Sequence, residues 1–154
     1  MSPLLALHQA VSELTAAIAG QALDDALENR LNAEFGVDSG LYARLRAACE
    51  QGVAQGALCR REAAGIRYGR AFQPEAALQG FSVDVVHMQD IAGPHHVHPT
   101  GEIDLVMPLD AAARFDGHGA GWVVYAPGSA HRPTVSQGRA LVLYLLPQGE
   151  IRFG

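Results

Sequence analysis

Residues 93–104 read GPHHVHPTGEID, a run that brings three histidines and a glutamate close together. Side chains alternate along an extended chain, so His96 and His98 project to the same side. Prolines on both sides of this pair disfavour a helix, and the turn that follows lets the chain fold back and place Glu102 beside both imidazoles. Two imidazoles and one carboxylate that converge on a point suit a divalent transition metal ion.

Residues 121–131 read GWVVYAPGSAH, which predicts a strand, a Pro-Gly turn and then His131. In a β-barrel, such a turn can bring His131 opposite the first hairpin. We therefore predict a single metal site with these ligands: His96, His98, Glu102 and His131. Imidazole and carboxylate ligands bind Fe, Mn, Ni, Co and Zn alike, so the identity of the metal stays open.

The chain after Gly65 has the pattern of short strands. Apolar runs of strand length alternate with turns rich in Gly, Pro and Asp, which is typical of a sandwich or a barrel. The run 140–146 is apolar on both faces, so we expect it to lie between the barrel interior and a covering layer. The predicted strands are 66–72, 81–89, 102–109, 112–115, 121–126, 139–146 and 150–153.

The N-terminal part of the chain instead follows helical spacing, and three helices are predicted there. They begin at Ser2-Pro3, at Asp24 or Asp25, and at Asp38 or Ser39, where Ser and Asp side chains can cap the first turn. Asp25 and Glu28 form a pair that is similar to a capping box.

The predicted helical segment, residues 1–64, precedes a predicted β-barrel of residues 65–154. Three helices beside a β domain could form a helix-turn-helix DNA reader, but this segment has five arginines against eight acidic residues and would repel phosphate. We expect the helices to cover an outer face of the barrel or to form a dimer contact. The apolar outward faces of the strands predict a homodimer, and no nucleic-acid partner is expected.

The composition excludes several classes of reaction and of binding partner. All eleven basic residues are arginines, and the absence of lysine excludes Schiff-base chemistry, pyridoxal phosphate attachment and a Walker-type lysine. The net charge of −5 gives no indication of a surface that attracts nucleic acid or an anionic membrane. Without a basic leader or an apolar run of roughly 18 residues, the chain is expected to be cytoplasmic. Cys49 and Cys59 lack the spacing of a zinc site and are expected to be buried thiols.

Both histidine segments resemble cupin motifs. HxHxxxE at 96–102 looks like the first cupin motif, and GxxxxxPGxxH at 121–131 looks like the second. The resemblance implies a mainly β fold, the double-stranded β-helix (jelly-roll) barrel, with the predicted ligands around one metal ion. Met107–Leu109 replaces the glycine of the first motif, and Val135 replaces an asparagine that often follows the second. Neither position is a ligand, so the predicted metal site is unaffected.

A wider pattern carries a more specific resemblance. In order and spacing, the segments HPTGEIDLVMPLD, RFDG, GWVVYAPGSAHRPTV and LYLLPQGEIRF are similar to the small bacterial 4-hydroxylaminobenzoate lyases. The resemblance implies a metal-dependent conversion of 4-hydroxylaminobenzoate to protocatechuate and ammonia in nitroaromatic degradation. This reaction is redox-neutral overall, which suits a chain with no nucleotide-binding signature.

Several residues near the motifs are candidates for other roles. Strand alternation sends Asp104 inward with Glu102, where it could accept a hydrogen bond from a ligand imidazole or pair with an arginine. An arginine in the barrel mouth would bind a substrate carboxylate, and one of two aromatics on a single strand would line the pocket. The catalytic candidates are Asp104, Tyr125 and His95. The candidates for substrate binding are Arg132, Arg114 and Trp122.

Two other functions stay open at this point. A cupin with these ligands could be an iron dioxygenase that acts on a small aromatic or carboxylic acid, and oxygen consumption would distinguish it from a lyase. The chain could also be a non-catalytic cupin that binds a small ligand, which predicts tight binding without turnover.

Overall fold

The computed structural model describes residues 1–154 and begins with three helices: α1 Pro3–Ala17, α2 Asp25–Glu34 and α3 Gly40–Ala54. The side chains of Ser2, Asp24 and Ser39 each accept a hydrogen bond from a backbone N–H three residues further on, so every helix begins at a capped turn. These starts confirm the predicted ones. Asp24 rather than Asp25 caps α2, and Glu28 does not complete a capping box because its carboxylate contacts a strand.

Ten strands follow: β1 Arg61–Ala63, β2 Ile66–Phe72, β3 Phe81–Ala92, β4 His96–His98, β5 Glu102–Pro108, β6 Arg114–Phe115, β7 Gly121–Tyr125, β8 Ser129–His131, β9 Thr134–Pro147 and β10 Arg152–Phe153. The larger sheet has the order β1-β2-β3-β9-β5-β7 with β6 beside β9, and the smaller has the order β10-β4-β8. All predicted strands are present, but β9 begins at Thr134 rather than at 139. The short strands β1, β4 and β8 were not predicted, and β1 precedes the predicted boundary at 65.

The larger sheet is apolar on both faces. On the outer face, alternate residues of β5 and β9 pack against the helices in one cluster of 25 buried residues. On the inner face, the intervening residues form a second cluster of 11 buried residues. Leu141, Leu143 and Leu145 belong to the first cluster, whereas Val142 and Tyr144 belong to the second. The expectation that 140–146 lies between the interior and a covering layer is therefore confirmed.

The covering layer consists of the chain's own helices. Leu7, Leu14 and Leu45 of α1 and α3 share the outer cluster with Leu105 of β5. Because these helices occupy the outward apolar faces, those faces no longer support the homodimer, which stays a prediction. None of the helices has the length and apolar character needed to cross a membrane.

Helix α2 covers the free edge of β7, the last strand of the larger sheet. The carboxamide of Asn32 donates to the carbonyl of Trp122 (2.9 Å) and accepts from its N–H (2.8 Å). The Val124 N–H donates to Glu28 Oε1 at 2.8 Å. A Cβ on Gly121, which has φ +133°, would lie 2.8 Å from Asn32 Oδ1. The side chains of α2 thus satisfy edge groups that would otherwise face solvent or another strand.

Candidate metal centre

The strands bring all predicted ligands to one point inside the barrel. His96 and His98 lie on β4, and the antiparallel pairing of β4 with β8 places His131 directly opposite His96. Glu102 begins β5, after a turn in which Gly101 has φ +88°. The ligand-type atoms of these residues all lie within 4.8 Å of one another. This arrangement is compatible with one metal ion.

Glu102 stands at the centre of the cluster. Its Oε2 lies 3.3 Å from His98 Nε2 and 3.7 Å from His131 Nε2, and its Oε1 lies 3.8 Å from His96 Nε2. The side chain is 0% exposed, and neither carboxylate oxygen has a hydrogen-bond partner. A buried charge without partners is strongly unfavourable, so the donor set fits a bound cation.

The outer nitrogens of the three imidazoles point away from this centre, each toward an oxygen. The contacts are His96 Nδ1 to Pro94 O (3.3 Å), His98 Nδ1 to Ser129 Oγ (3.0 Å) and His131 Nδ1 to Asp116 Oδ2 (2.5 Å). A neutral imidazole that donates through Nδ1 keeps a lone pair on Nε2. The Nε2 atoms of His96 and His131 are only 3.1 Å apart, and two facing lone pairs repel unless a cation lies between them.

Burial also favours the form of His96 that can bind a metal. Burial lowers the pKa of His96 to about 4, and the Glu102 carboxylate offsets only part of this effect. The neutral imidazole is the form that binds metals.

Asp116 is the residue of this centre that the sequence did not reveal. Its Oδ2 accepts from His131 Nδ1 (2.5 Å) and from the Tyr125 hydroxyl (2.5 Å), and its Oδ1 accepts from the Thr134 N–H (2.9 Å). Burial alone would raise the pKa of Asp116, but these hydrogen bonds lower it below its ordinary value. The RFDG segment, which contains Asp116, was the only sequence feature that indicated a role for it, but an Asp-Gly pair is also typical of a turn.

Asp104 faces inward, as predicted, but it makes neither of the contacts expected of it. Its carboxyl group is fully buried and has no hydrogen-bond partner, so it neither orients an imidazole nor pairs with an arginine. Burial and the neighbouring carboxylate of Glu102 raise its pKa well above the ordinary value. The expectation of a hydrogen bond from a ligand imidazole to Asp104 is wrong, and Asp116 accepts such a bond instead.

The two aromatics of β7 divide as strand alternation requires. The Tyr125 ring lies inside, with its centroid 4.4 Å from that of His131 and 5.2 Å from that of His98. Burial and nearby carboxylates raise the pKa of its hydroxyl. Trp122 lies in the outer cluster, and its Nε1–H donates to the Phe35 carbonyl at 2.9 Å. The predicted contact between Trp122 and substrate is wrong, because its ring packs against the helices.

Three other predicted residues are not brought to the cluster. The Nδ1–H of His95 donates to the Gly154 carbonyl (2.7 Å), which directs the ring to the end of the chain. Arg132 is exposed and donates to the Gly93 carbonyl at 3.3 Å, and Arg114 donates to the carbonyls of Ala111 and Ala113. None of the three side chains lines the cavity beside the cluster.

That cavity has a volume of about 1110 Å³, and His96 forms part of its wall. The wall also includes Phe153, whose ring centroid lies 5.6 Å from that of His96. On the larger sheet, the wall includes Arg70, Asp84 and Tyr144. Sequence reasoning missed Arg70 because nothing in its local pattern distinguishes it from the ten other arginines.

The chain is similar in sequence to proteins of one named family. The family described as PnbB: 4-hydroxylaminobenzoate lyase matches residues 9–153. The chain is 34% identical over 144 residues to a 4-hydroxylaminobenzoate lyase of Pseudomonas putida, covering 82% of each chain. It is 35% identical over 136 residues to a protein of the same name from Nocardioides sp. (strain LMS-CY), covering 82% of this chain and 80% of the relative.

Two solved structures are similar to this chain at low sequence identity. A chain from the crystal structures of DMSP lyases RdDddP and RnDddQII covers 99% of this chain and 97% of its own length, with a TM-score of 0.50 and 16% identity. An RmlC-like cupin protein from Ralstonia eutropha JMP134 covers 59% of this chain and 60% of its own, with a TM-score of 0.44 and 15% identity. The fold is of the cupin type with an N-terminal helical segment. The chain belongs to the 4-hydroxylaminobenzoate lyase family, and it is a lyase.

Proposed function

We propose that this chain converts 4-hydroxylaminobenzoate and water to protocatechuate and ammonia, with one divalent transition metal ion held by His96, His98, Glu102 and His131. Membership of the family supports the substrate. The observation that carries the metal dependence is the buried Glu102 carboxylate, which faces three imidazole Nε2 atoms and has no hydrogen-bond partner.

The reaction is a net addition of water with loss of ammonia. The N–O bond, the ring C–N bond and one ring C–H bond break, two ring C–O bonds form, and one water molecule is consumed. No oxidant or reductant is needed. A divalent ion in this site supplies Lewis acidity toward the hydroxylamino oxygen.

The protein must also move protons, because water loses protons as it adds and nitrogen gains them as it leaves. Asp104 is suited to proton transfer, since it lies on the inner face two residues from Glu102 and its carboxyl group has no hydrogen-bond partner. Tyr125 is the second proposed proton carrier, because its hydroxyl lies in a hydrogen-bonded chain with Asp116 and the ligand His131. His95 is not proposed, because Gly154 holds its imidazole.

The function is tested by an anaerobic assay of the purified protein with 4-hydroxylaminobenzoate, after elemental analysis. We expect equal amounts of protocatechuate and ammonia without oxygen. His131→Ala should abolish turnover and bound metal. His118→Ala is the matched control, because His118 is an exposed histidine, and it should change neither. A wild-type protein that needs oxygen, or a His131→Ala variant with full activity, would overturn the proposal.

The two proposed proton carriers are tested by conservative variants. Asp104→Asn and Tyr125→Phe keep the shape of the side chain and remove its acidic proton. We expect each to lower kcat by about 100-fold or more, as for other general acid-base groups, while KM and metal content stay near the wild-type values. Loss of metal in step with loss of activity would contradict the proton-transfer role.

A further inference from the structure

A row of polar residues crosses the interior of the barrel. Arg70 on β2 pairs in register with Asp84 on β3, Asp84 pairs with Tyr144 on β9, and Tyr144 pairs with Asp104 on β5. Their strand neighbours Ile66, Val86 and Val142 belong to the inner cluster, so the row faces inward. Arg70 and Asp104 are thus three strand spacings apart, about 14 Å along the curved sheet.

The two ends of this row offer a ligand different groups. The end at β5 contains Asp104 beside Glu102, both 0% exposed, with Asp116 nearby behind His131. The other end contains the guanidinium of Arg70. The carboxyl groups of the first end offer no cationic N–H donor to a ligand carboxylate, whereas the Arg70 guanidinium, although paired with Asp84, does.

Arg70 is held in place and still has free donors. Its Nε donates to Asp84 Oδ1 (3.0 Å), and its Nη2 donates to Asp84 Oδ2 (3.2 Å) and to the Gly149 carbonyl (3.4 Å). Its Nη1 donates to no group of the protein, although the side chain is only 27% exposed. A fixed guanidinium with an unused N–H pair is suited to bind a planar carboxylate.

Two other arginines line the same cavity, but they are less suited to this role. Arg60 and Arg61 lie beside or on the edge strand β1 and, like Arg70, are exposed residues. Neither forms an ion pair that would fix its guanidinium. Binding a ligand would therefore require each of them to lose side-chain freedom that Arg70 has already lost.

We propose that Arg70 is the carboxylate-binding residue of the substrate cavity. The inference rests on the proposed function and deepens it. The carboxylate of the aromatic substrate binds at Arg70, and its hydroxylamino end then faces the histidine-glutamate cluster. Asp84 fixes the guanidinium and competes with the ligand for it.

The test compares an acid with its neutral analogue. Arg70→Gln should lower kcat/KM for 4-hydroxylaminobenzoate by roughly 10- to 100-fold, the effect of a lost charged hydrogen bond, and leave kcat/KM for hydroxylaminobenzene unchanged. Arg67→Gln is the matched control, because Arg67 lies on the same strand, outside the cavity wall and without an ion pair. It should change neither value. Equal losses for both substrates in Arg70→Gln, or the selective loss in Arg61→Gln instead, would overturn the proposal.

A binding measurement separates this inference from the proposed reaction. The dissociation constants of 4-aminobenzoate and aniline are measured by calorimetry on the metal-loaded protein, and they do not require turnover. Arg70→Gln should weaken only the acid. If Arg70→Gln fails to fold, Arg70→Lys decides: it keeps a positive charge at this position but loses the planar fork, so it should weaken 4-aminobenzoate and leave aniline unchanged. Unchanged binding of 4-aminobenzoate, or an equal weakening of aniline, in Arg70→Lys would then overturn the role of Arg70.

Discussion

Asp116 Oδ2 lies 2.5 Å from Nδ1 of His131 and 2.5 Å from the hydroxyl of Tyr125, so one carboxylate oxygen joins a candidate ligand to an interior tyrosine. The backbone N–H of Thr134 holds the other oxygen at 2.9 Å. With three donors around it, this carboxylate is kept ionised and fixed. It therefore sets the orientation of His131 and directs the lone pair of Nε2 toward Glu102.

Asp116→Asn should weaken metal binding without unfolding the protein. The carboxamide can still accept from His131, but it loses the charge that makes this hydrogen bond strong. We expect the dissociation constant for the metal to rise by about 10- to 100-fold, as for other groups that orient metal ligands. The measurement is competition with a chromophoric chelator.

Tyr125→Phe is the control for this effect. It removes one donor to Asp116 but leaves the contact with His131, so metal affinity should change much less than in Asp116→Asn. If both variants lose affinity equally, the carboxylate orients His131 only when the Tyr125 hydroxyl also holds it. If neither does, His131 needs no orienting group.

Metal binding should stabilise the protein strongly, because without a cation the buried Glu102 carboxylate has no donor. At a free metal concentration 100 times the dissociation constant, linkage predicts about 2.7 kcal/mol of stabilisation.

The Glu102→Gln variant should be more stable than wild type without metal, because a buried charge is gone. With metal present, the variant should be less stable than wild type. The check is the free energy of unfolding of both proteins, with and without a chelator. A variant that is less stable in both conditions would show that the carboxylate is not strained in the apo protein.

The sequence predicted the parts of this structure that depend on local periodicity. Alternation placed Asp104 inside and Trp122 and Tyr125 on opposite faces of their strand. It also divided 140–146 between two clusters, because a strand with apolar residues at every position must be covered on both sides. The motif spacing identified the cluster itself, since short turns join the strands that carry its members.

The features that the sequence did not reveal depend on pairing between distant strands. Asp116 reaches His131 because β6 pairs with the start of β9 and the Asp116 N–H donates to the carbonyl of Thr134, three residues after His131. Nothing in RFDG encodes that neighbour. Arg70 faces the cavity because of the register between β2 and β3. Arg114 and Arg132 were predicted to bind substrate because they lie near the two motifs in the sequence. The strands β4 and β8 are three residues each, too short to show a period.

Asn32→Ala should destabilise the fold although the side chain is far from the metal centre. The substitution leaves the N–H and C=O of Trp122 without partners at a partly buried edge. Each unsatisfied group costs about 1–3 kcal/mol, so we expect a loss of at least 1 kcal/mol in the free energy of unfolding. Gln51→Ala, at an exposed position of α3, is the control and should be nearly neutral. Equal effects of the two substitutions in urea titrations would mean that α2 does not protect the edge of β7.

The two cysteines should make stability depend on alkaline pH. Burial raises the pKa of the Cys49 thiol to about 12 and that of Cys59 to about 11, from an ordinary value of 9.0. Above pH 9 the unfolded chain loses these protons while the folded chain keeps them, so stability is complete below pH 9 and falls as the pH rises toward 11. The slope is about 1.4 kcal/mol per pH unit for each thiol. Cys49→Ala should therefore show a shallower decline in the free energy of unfolding between pH 9 and 11 than wild type, measured by chemical denaturation.

The same burial predicts that both native thiols react slowly with iodoacetamide at pH 8, because the thiolate is the nucleophile. Rapid labelling of the folded protein, or parallel declines for wild type and variant, would show that these thiols are not buried as the structure has them.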